Sequence, residues 1–144
     1  MLPLEGIRVI ELCHWVLGPT CCRVLGEMGA DVIKIEEPKG GDPVRGLLPP
    51  SVMAERGLGP INPFWEHWNG SKRAITIDLG KETGGEITAN LLAQADVFVT
   101  NFRPSVVDRF GLDYESVAAV NPKMIYAQAS GFGAKGPDRD RAAF

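Results

Sequence analysis

Four cations carry the chemistry that this sequence advertises most openly. Lys72 and Arg73 close the basic turn Asn69-Gly70-Ser71-Lys72-Arg73, and Arg103 and Arg109 flank Pro104 in the stretch QADVFVTNFRPSVVDR. Guanidinium forks and an ammonium point charge suit a ligand with several phosphates. The surrounding sequence says how they would be positioned. Asp96-Val97-Phe98-Val99-Thr100 is rich in β-branched and aromatic residues and predicts a buried strand. Asn101-Phe102-Arg103 breaks it, and Pro104, with φ preset and no amide hydrogen, predicts the first turn of a helix. Strand ends that open helices are where open α/β sheets bind ligands, anions in particular. Arg103 follows a strand end whereas Lys72-Arg73 precede a strand, so the topology does not oblige them to share an edge. The same residues also read as scattered surface cations at an ordinary corner.

Other chemistries fit less well. Glu36 and Glu37 stand where a ribose-binding acid would, but the first strand–helix turn reads Leu17-Gly18-Pro19-Thr20-Cys21-Cys22. One glycine followed by proline does not supply G-x-G-x-x-G, and G-x-x-x-x-G-K-[ST] is absent, so neither NAD nor a P-loop is expected. Cys13, His14, Cys21 and Cys22 lack the C-x-x-C pairing of a closed zinc site, so no metal is expected. Cys21 and Cys22 should point to different sides of one helix, and His14 and His67 read as structural or solvent-facing. No G-x-S-x-G favours an esterase.

Composition sets the class. A length of 144 residues suffices for one domain with a real core. With 44% hydrophobic and 23% charged residues the chain is of the globular type. A net charge of −3 argues against a general nucleic-acid binder. No apolar run reaches the ~20 residues that span a bilayer. The N-terminus MLPLEGIRVIEL is not a secretory signal, and an odd number of cysteines, two of them adjacent, suits reduced thiols in a cytoplasm.

Read in order, residues 7–12 predict a first strand. A helix follows from Thr20, with Cys21, Val24, Leu25 and Met28 on one apolar stripe and Gly29 as a left-handed cap. Residues 31–36 predict a second strand, parallel to the first. Residues 37–63 form a long Pro/Gly-rich loop, of the kind that is functional or disordered. Residues 63–68 read as a short helix or an aromatic anchor. Then come a strand over 74–79, a helix over 82–95 with Ile87, Leu91 and Leu92 inward, the strand and helix already described, a short helix over 114–120, a strand over 123–129, and a glycine-rich exit. Alternating strands and helices predict a Rossmann-like three-layer αβα fold on a mainly parallel sheet. No closing helix follows the last strand, so the fold reads as incomplete.

The motifs GADVIKIE, KRAITIDL and NFRP, in this order and spacing, resemble the N-terminal part of the class III coenzyme A transferases, the family of formyl-CoA transferase, carnitine CoA-transferase and α-methylacyl-CoA racemase. The likeness runs from LPLEGIRVIEL to DRAAF. It implies that residues 1–144 are the N-terminal part of that family's large domain. It implies a cytoplasmic, interlocked homodimer moving CoA between carboxylic acids through an aspartyl-CoA thioester. Acyl-CoA is then a substrate, with a carboxylic acid as its partner, and no nucleic acid or membrane takes part. By position, Trp15 and Val16 match contacts near the thioester, and Ile77 one beside the adenine. Asn101 and Phe102 match the NFRP turn, Arg103 and Arg109 the phosphates, and Lys72 and Arg73 the basic turn by the nucleotide. Glu37 stands where some members have a phosphate-binding arginine, and Val16 where some have a glutamine. The catalytic aspartate is expected beyond Phe144, so this chain alone carries no catalytic residue. Phenylalanine at 144 favours a transferase over the racemase branch, which has histidine there. The alternatives are an acyl-CoA racemase and a non-catalytic CoA-binding subunit needing a partner chain.

Overall fold

A computed structural model describes residues 1–59 and 62–143. Its strands are β1 (Arg8–Leu12), β2 (Asp31–Glu36), β3 (Arg73–Thr76), β4 (Val97–Thr100) and β5 (Ile125–Gln128). They form one sheet in the order β3-β2-β1-β4-β5, parallel throughout. The helices are α1 (Leu17–Glu27), α2 (Pro50–Glu55), α3 (Pro63–Asn69), α4 (Glu82–Ala93), α5 (Pro104–Arg109) and α6 (Tyr114–Val120). The chain starts at the centre of the sheet, builds outward to β3, and returns to add β4 and β5 on the other side. The strand order therefore reverses between β1 and β4, which opens a crevice at their carboxyl ends.

Side-chain alternation along each buried strand divides the core into two layers. Ile10, Leu12, Ile33, Ile35 and Phe98 meet Leu92, Val107, Leu112 and Val117 on the side covered by α4, α5 and α6. Val9, Cys13, Val32 and Val99 meet Cys22 and Ala30 on the side covered by α1. Helix α3 packs outside α1, where Arg23 donates to the carbonyl of His67.

The three-layer parallel α/β fold is as the sequence predicts, and β2 and α6 fall on their predicted ranges. Gly29 caps α1 at φ 104°, in the left-handed region. The buried face of α1 differs. Gly18, Pro19 and Cys22 face the sheet, while Cys21, Val24 and Met28 are exposed. The reason is close approach: a Cβ on Gly18 would overlap Cys13 Sγ and lie 2.6 Å from Cys13 Cβ. The helix meets the sheet through small residues; of the predicted stripe Leu25 packs against the core, while Cys21, Val24 and Met28 turn out. On α4, Leu92 is buried and Leu91 packs against the core as predicted, but Ile87 is exposed, and Gly84 and Thr88 are buried on the inner face. The stretch 37–63 carries a 3-10 turn at Pro43–Gly46 and the helix α2. Asp42 opens that turn by accepting from the Val44 amide, and Asn62 caps α3 by accepting from the Phe64 amide. Pro60, Ile61 and Phe144 lie outside the described residues, and with Phe144 the residue that would separate the transferase and racemase branches.

Candidate functional site

The carboxyl edge of the sheet bears a cleft of about 340 Å³, large enough for part of a small-molecule ligand. Its apolar walls come from Leu12, Ile35, Ile77, Leu79, Phe102, Val106 and Phe110, the residues that end β1 and β2, follow β3 and surround the start of α5. Its charged lining is Glu36, Glu37, Lys39, Asp78 and Arg109, with His14 between the two ends. The His14 ring meets Phe102 edge-on at 4.6 Å. Burial lowers the His14 pKa, with Lys34 adding to the effect against the pull of Asp42, Glu37 and Glu36.

That shift has a sign that solution measurements can read. The folded chain prefers neutral His14. As pH falls below the ordinary value of 6.5, the unfolded chain takes up the proton first, and stability drops. Urea midpoints at pH 8, 6 and 5 are expected to decrease in that order, and His14→Gln to flatten this limb. An unchanged slope in His14→Gln removes His14 as its source.

The structure gathers some of the sequence-predicted residues and separates others. Ile77, Phe102 and Arg109 line the cleft together. The Arg109 guanidinium lies 4.6 Å from the Phe110 ring centroid, with its charge open to solvent. Asn101 stands at the crevice and spans it. Its Oδ1 accepts from the His14 amide at 2.9 Å and its Nδ2 donates to the His14 carbonyl at 2.7 Å, so one side chain sews the end of β1 to the end of β4. Arg103 is the exposed N-cap of α5. Trp15 and Val16 are exposed on the turn from β1 into α1. Lys72 is drawn inward, with a side chain 2% exposed and its Nζ 2.7 Å from Glu11 Oε2. Arg73 lies at the opposite, amino edge of the sheet, where its guanidinium grips both oxygens of Asp31 at 2.9 and 2.7 Å. That grip, with Arg8 assisting, holds the Asp31 carboxyl below its usual range. A ligand in the cleft thus meets Arg109 directly, while Lys72 and Arg73 already have protein partners.

A buried charged cluster on the α1 side of the sheet escaped the sequence reading. Glu11 and Lys34 are register partners on adjacent strands and share the α1 side of the sheet. Lys34 Nζ donates to Glu11 Oε1 at 2.8 Å, to the Cys13 carbonyl at 2.8 Å and to Asp42 Oδ2 at 3.0 Å. Lys72 Nζ pairs with the second Glu11 oxygen and donates to the Pro19 carbonyl at 2.8 Å and to Asn69 Oδ1 at 3.1 Å. Burial works against the Lys34 ammonium, but Glu11 and Asp42 outweigh it and its pKa is raised. For Lys72 burial prevails over Glu11 and the pKa is lowered. Beside the cluster, Glu36 accepts from Arg45 at 3.0 and 2.7 Å and from the Asp42 amide at 2.9 Å. These partners keep its carboxyl low although burial pushes it up. The available signal was an acid and a base inside apolar strand runs, at Glu11 in RVIEL and Lys34 in DVIKIE.

A parallel sheet whose strand order reverses beside a mixed apolar and charged cleft is the Rossmann-like arrangement, in which ligand sites fall at that reversal. The chain belongs to CoA-transferase family III, whose description matches residues 4–144. Succinate–glutarate CoA-transferase of Agrobacterium fabrum is 42% identical over 142 residues, covering 99% of this chain and 36% of that protein. Formyl-CoA:oxalate CoA-transferase of a Bradyrhizobium species is 41% identical over 137 residues, covering 95% of this chain and 31% of that protein. A crystal structure of a CAIB/BAIF family protein from Brucella suis superposes with a TM-score of 0.87 at 39% identity, over 99% of this chain and 37% of the other. The chain therefore spans about a third of the length of the curated relatives it matches.

Proposed function

We propose that this chain is the N-terminal part of the large domain of an enzyme that moves CoA between carboxylic acids, and that it supplies the site for the nucleotide end of acyl-CoA. The observation that carries the reading is the cleft that brings Ile77, Phe102 and Arg109 together at the strand-order reversal. In this reading the adenine lies against Ile77, Arg109 and Arg103 meet the phosphates, and Asn101 and Phe102 shape the turn between them. Trp15 and Val16 stand on the path toward the thioester. Lys72 and Arg73 support the site from within the fold and from its far edge. The attacking aspartate and the acid-binding pocket belong to chain beyond Phe144, and the complete enzyme is a cytoplasmic, interlocked homodimer. The relatives named above are transferases, which supports transfer over racemisation.

Calorimetric titration of the 144-residue chain tests the binding half. CoA is expected to bind, and Arg109→Ala to weaken it about tenfold, the effect of losing one charge-assisted phosphate contact. An unchanged affinity removes Arg109 from the phosphate site. The chain alone is expected to transfer no CoA, and appreciable turnover without a second polypeptide would sink the claim that the nucleophile lies elsewhere.

A further inference from the structure

We propose that Asp42 is a positioning residue for the acyl-bearing end of the ligand: with Lys34 and Asn101 it clamps the backbone of residues 13–15 so that Trp15 is held in a left-handed conformation beside the cleft. The inference rests on the CoA-site reading above and adds to it the device that sets the turn after β1.

Beyond Leu12 the chain leaves the sheet, yet its polar backbone groups are taken up by side chains from three other places. The Cys13 carbonyl accepts from Lys34 Nζ at 2.8 Å. Both polar groups of His14 are held by Asn101, at 2.9 and 2.7 Å. The Trp15 amide donates to Asp42 Oδ1 at 3.1 Å. Asp42 is itself fully buried and fixed on every side. Its Oδ1 also accepts from the Val44 amide at 3.1 Å, its Oδ2 accepts from Lys34, and its own amide donates to Glu36 Oε1.

What this clamp holds is unusual. Trp15 has φ 66°, a region that tryptophan adopts only under constraint. Its side chain does not repay that strain by packing, because Trp15 is 41% exposed and Val16, next to it, 45% exposed. A strained backbone that presents an exposed aromatic ring, held by the fully buried Asp42 and Lys34 and the half-buried Asn101, is the arrangement of a preorganised contact. Asp42 and Lys34 work from the α1 side of the sheet and Asn101 from the end of β4, so the turn is gripped from both sides of the crevice.

The test labels the 144-residue chain with 5-fluorotryptophan and assigns Trp15 by Trp15→Phe. In Asp42→Asn the Trp15 fluorine resonance is expected to shift or broaden while that of Trp68, which stacks on Phe64 within α3, stays. Adenosine 3′,5′-bisphosphate, which carries only the nucleotide end, is expected to bind within about twofold of the parent, while acetyl-CoA weakens by about fivefold or more. A purely structural role would weaken both ligands alike. An unmoved Trp15 resonance, or equal losses for the two ligands, overturns the proposal. Asn101→Ala opens the other jaw without touching the buried charges, and it is expected to move the Trp15 resonance in the same way should Asp42→Asn fail to fold. If the parent chain binds neither ligand, the CoA reading falls, and the fluorine signal still decides whether Asp42 sets Trp15.

Discussion

Lys34→Met is expected to destabilise the fold by about 3–5 kcal/mol, the usual consequence of removing one partner from a buried ion pair. The substitution keeps the length and apolar stem of the side chain, so packing changes little. It removes the one donor shared by Glu11, Asp42 and the Cys13 carbonyl. Glu11 and Asp42 are both fully buried, and of the two only Glu11 then keeps a bonded counter-charge, Lys72. Domains of this size are stable by only about 5–15 kcal/mol, so the loss is a large fraction of the total. Urea denaturation at constant slope measures it. Two comparisons give the number meaning. Lys81→Met, at an ion pair 3.9 Å long with a lysine side chain 73% exposed, is expected to change stability by no more than about 0.5 kcal/mol. Asp42→Asn added to Lys34→Met is expected to recover part of the loss, because Asp42 is the buried carboxylate left without a cation, whereas Glu11 keeps Lys72. A loss below about 1 kcal/mol for Lys34→Met would mean that water reaches the cluster and that the pair is not dry in solution.

The second large effect turns on two neighbouring glycines that behave oppositely. Alanine is favoured over glycine inside a helix by about 1 kcal/mol. Both Gly84 and Gly85 lie in α4. At Gly85 a new Cβ meets nothing within 4 Å, so Gly85→Ala is expected to gain up to about 1 kcal/mol. At Gly84 the Cβ would overlap the carbonyl oxygen of Asp78 and lie 2.8 Å from its carbonyl carbon. That neighbour is backbone and cannot rotate away. Gly84→Ala is therefore expected to lose about 1–3 kcal/mol, with the propensity gain reversed by overpacking. Thermal unfolding of the parent and the two variants side by side reads the difference, at about 2–4 °C per kcal/mol. Melting temperatures that rise in both variants would show that α4 moves off the Asp78 turn at little cost.

The two glycines also show where reading a sequence stops. The pattern ETGGEITANLL announces a helix, and periodicity places Ile87 on its inner face. The structure turns Ile87 out because α4 lies so close to the Asp78 turn that only Gly84 fits between them. The same holds for α1, where Gly18 against Cys13 decides the buried face and leaves Val24 and Met28 outside. Periodicity counts where the large apolar residues are, whereas a helix that packs closely is oriented by where they are not. The cleft was legible at its strand-end corner, because Pro104 starts α5 where the sequence puts it, and Phe102 before the helix and Arg109 at its end both join the cleft lining. It was not legible in Lys72, whose partner Glu11 sits in another strand.

The sequence by itself determined the order of the five strands and of the helices outside the 37–63 stretch, the parallel α/β class, the left-handed end of α1 at Gly29, and through GADVIKIE, KRAITIDL and NFRP the family. These depend on local backbone preference and on residue order, which the chain states directly. The tertiary structure alone decided which cations face the cleft and which are spent inside the fold. Arg109 stays open beside the cleft, Lys72 is buried against Glu11, and Arg73 is tied to Asp31 at the far edge. A charge takes its role from the distance to the opposite charge and from the water between them, and both are set only when strands distant in sequence come into register.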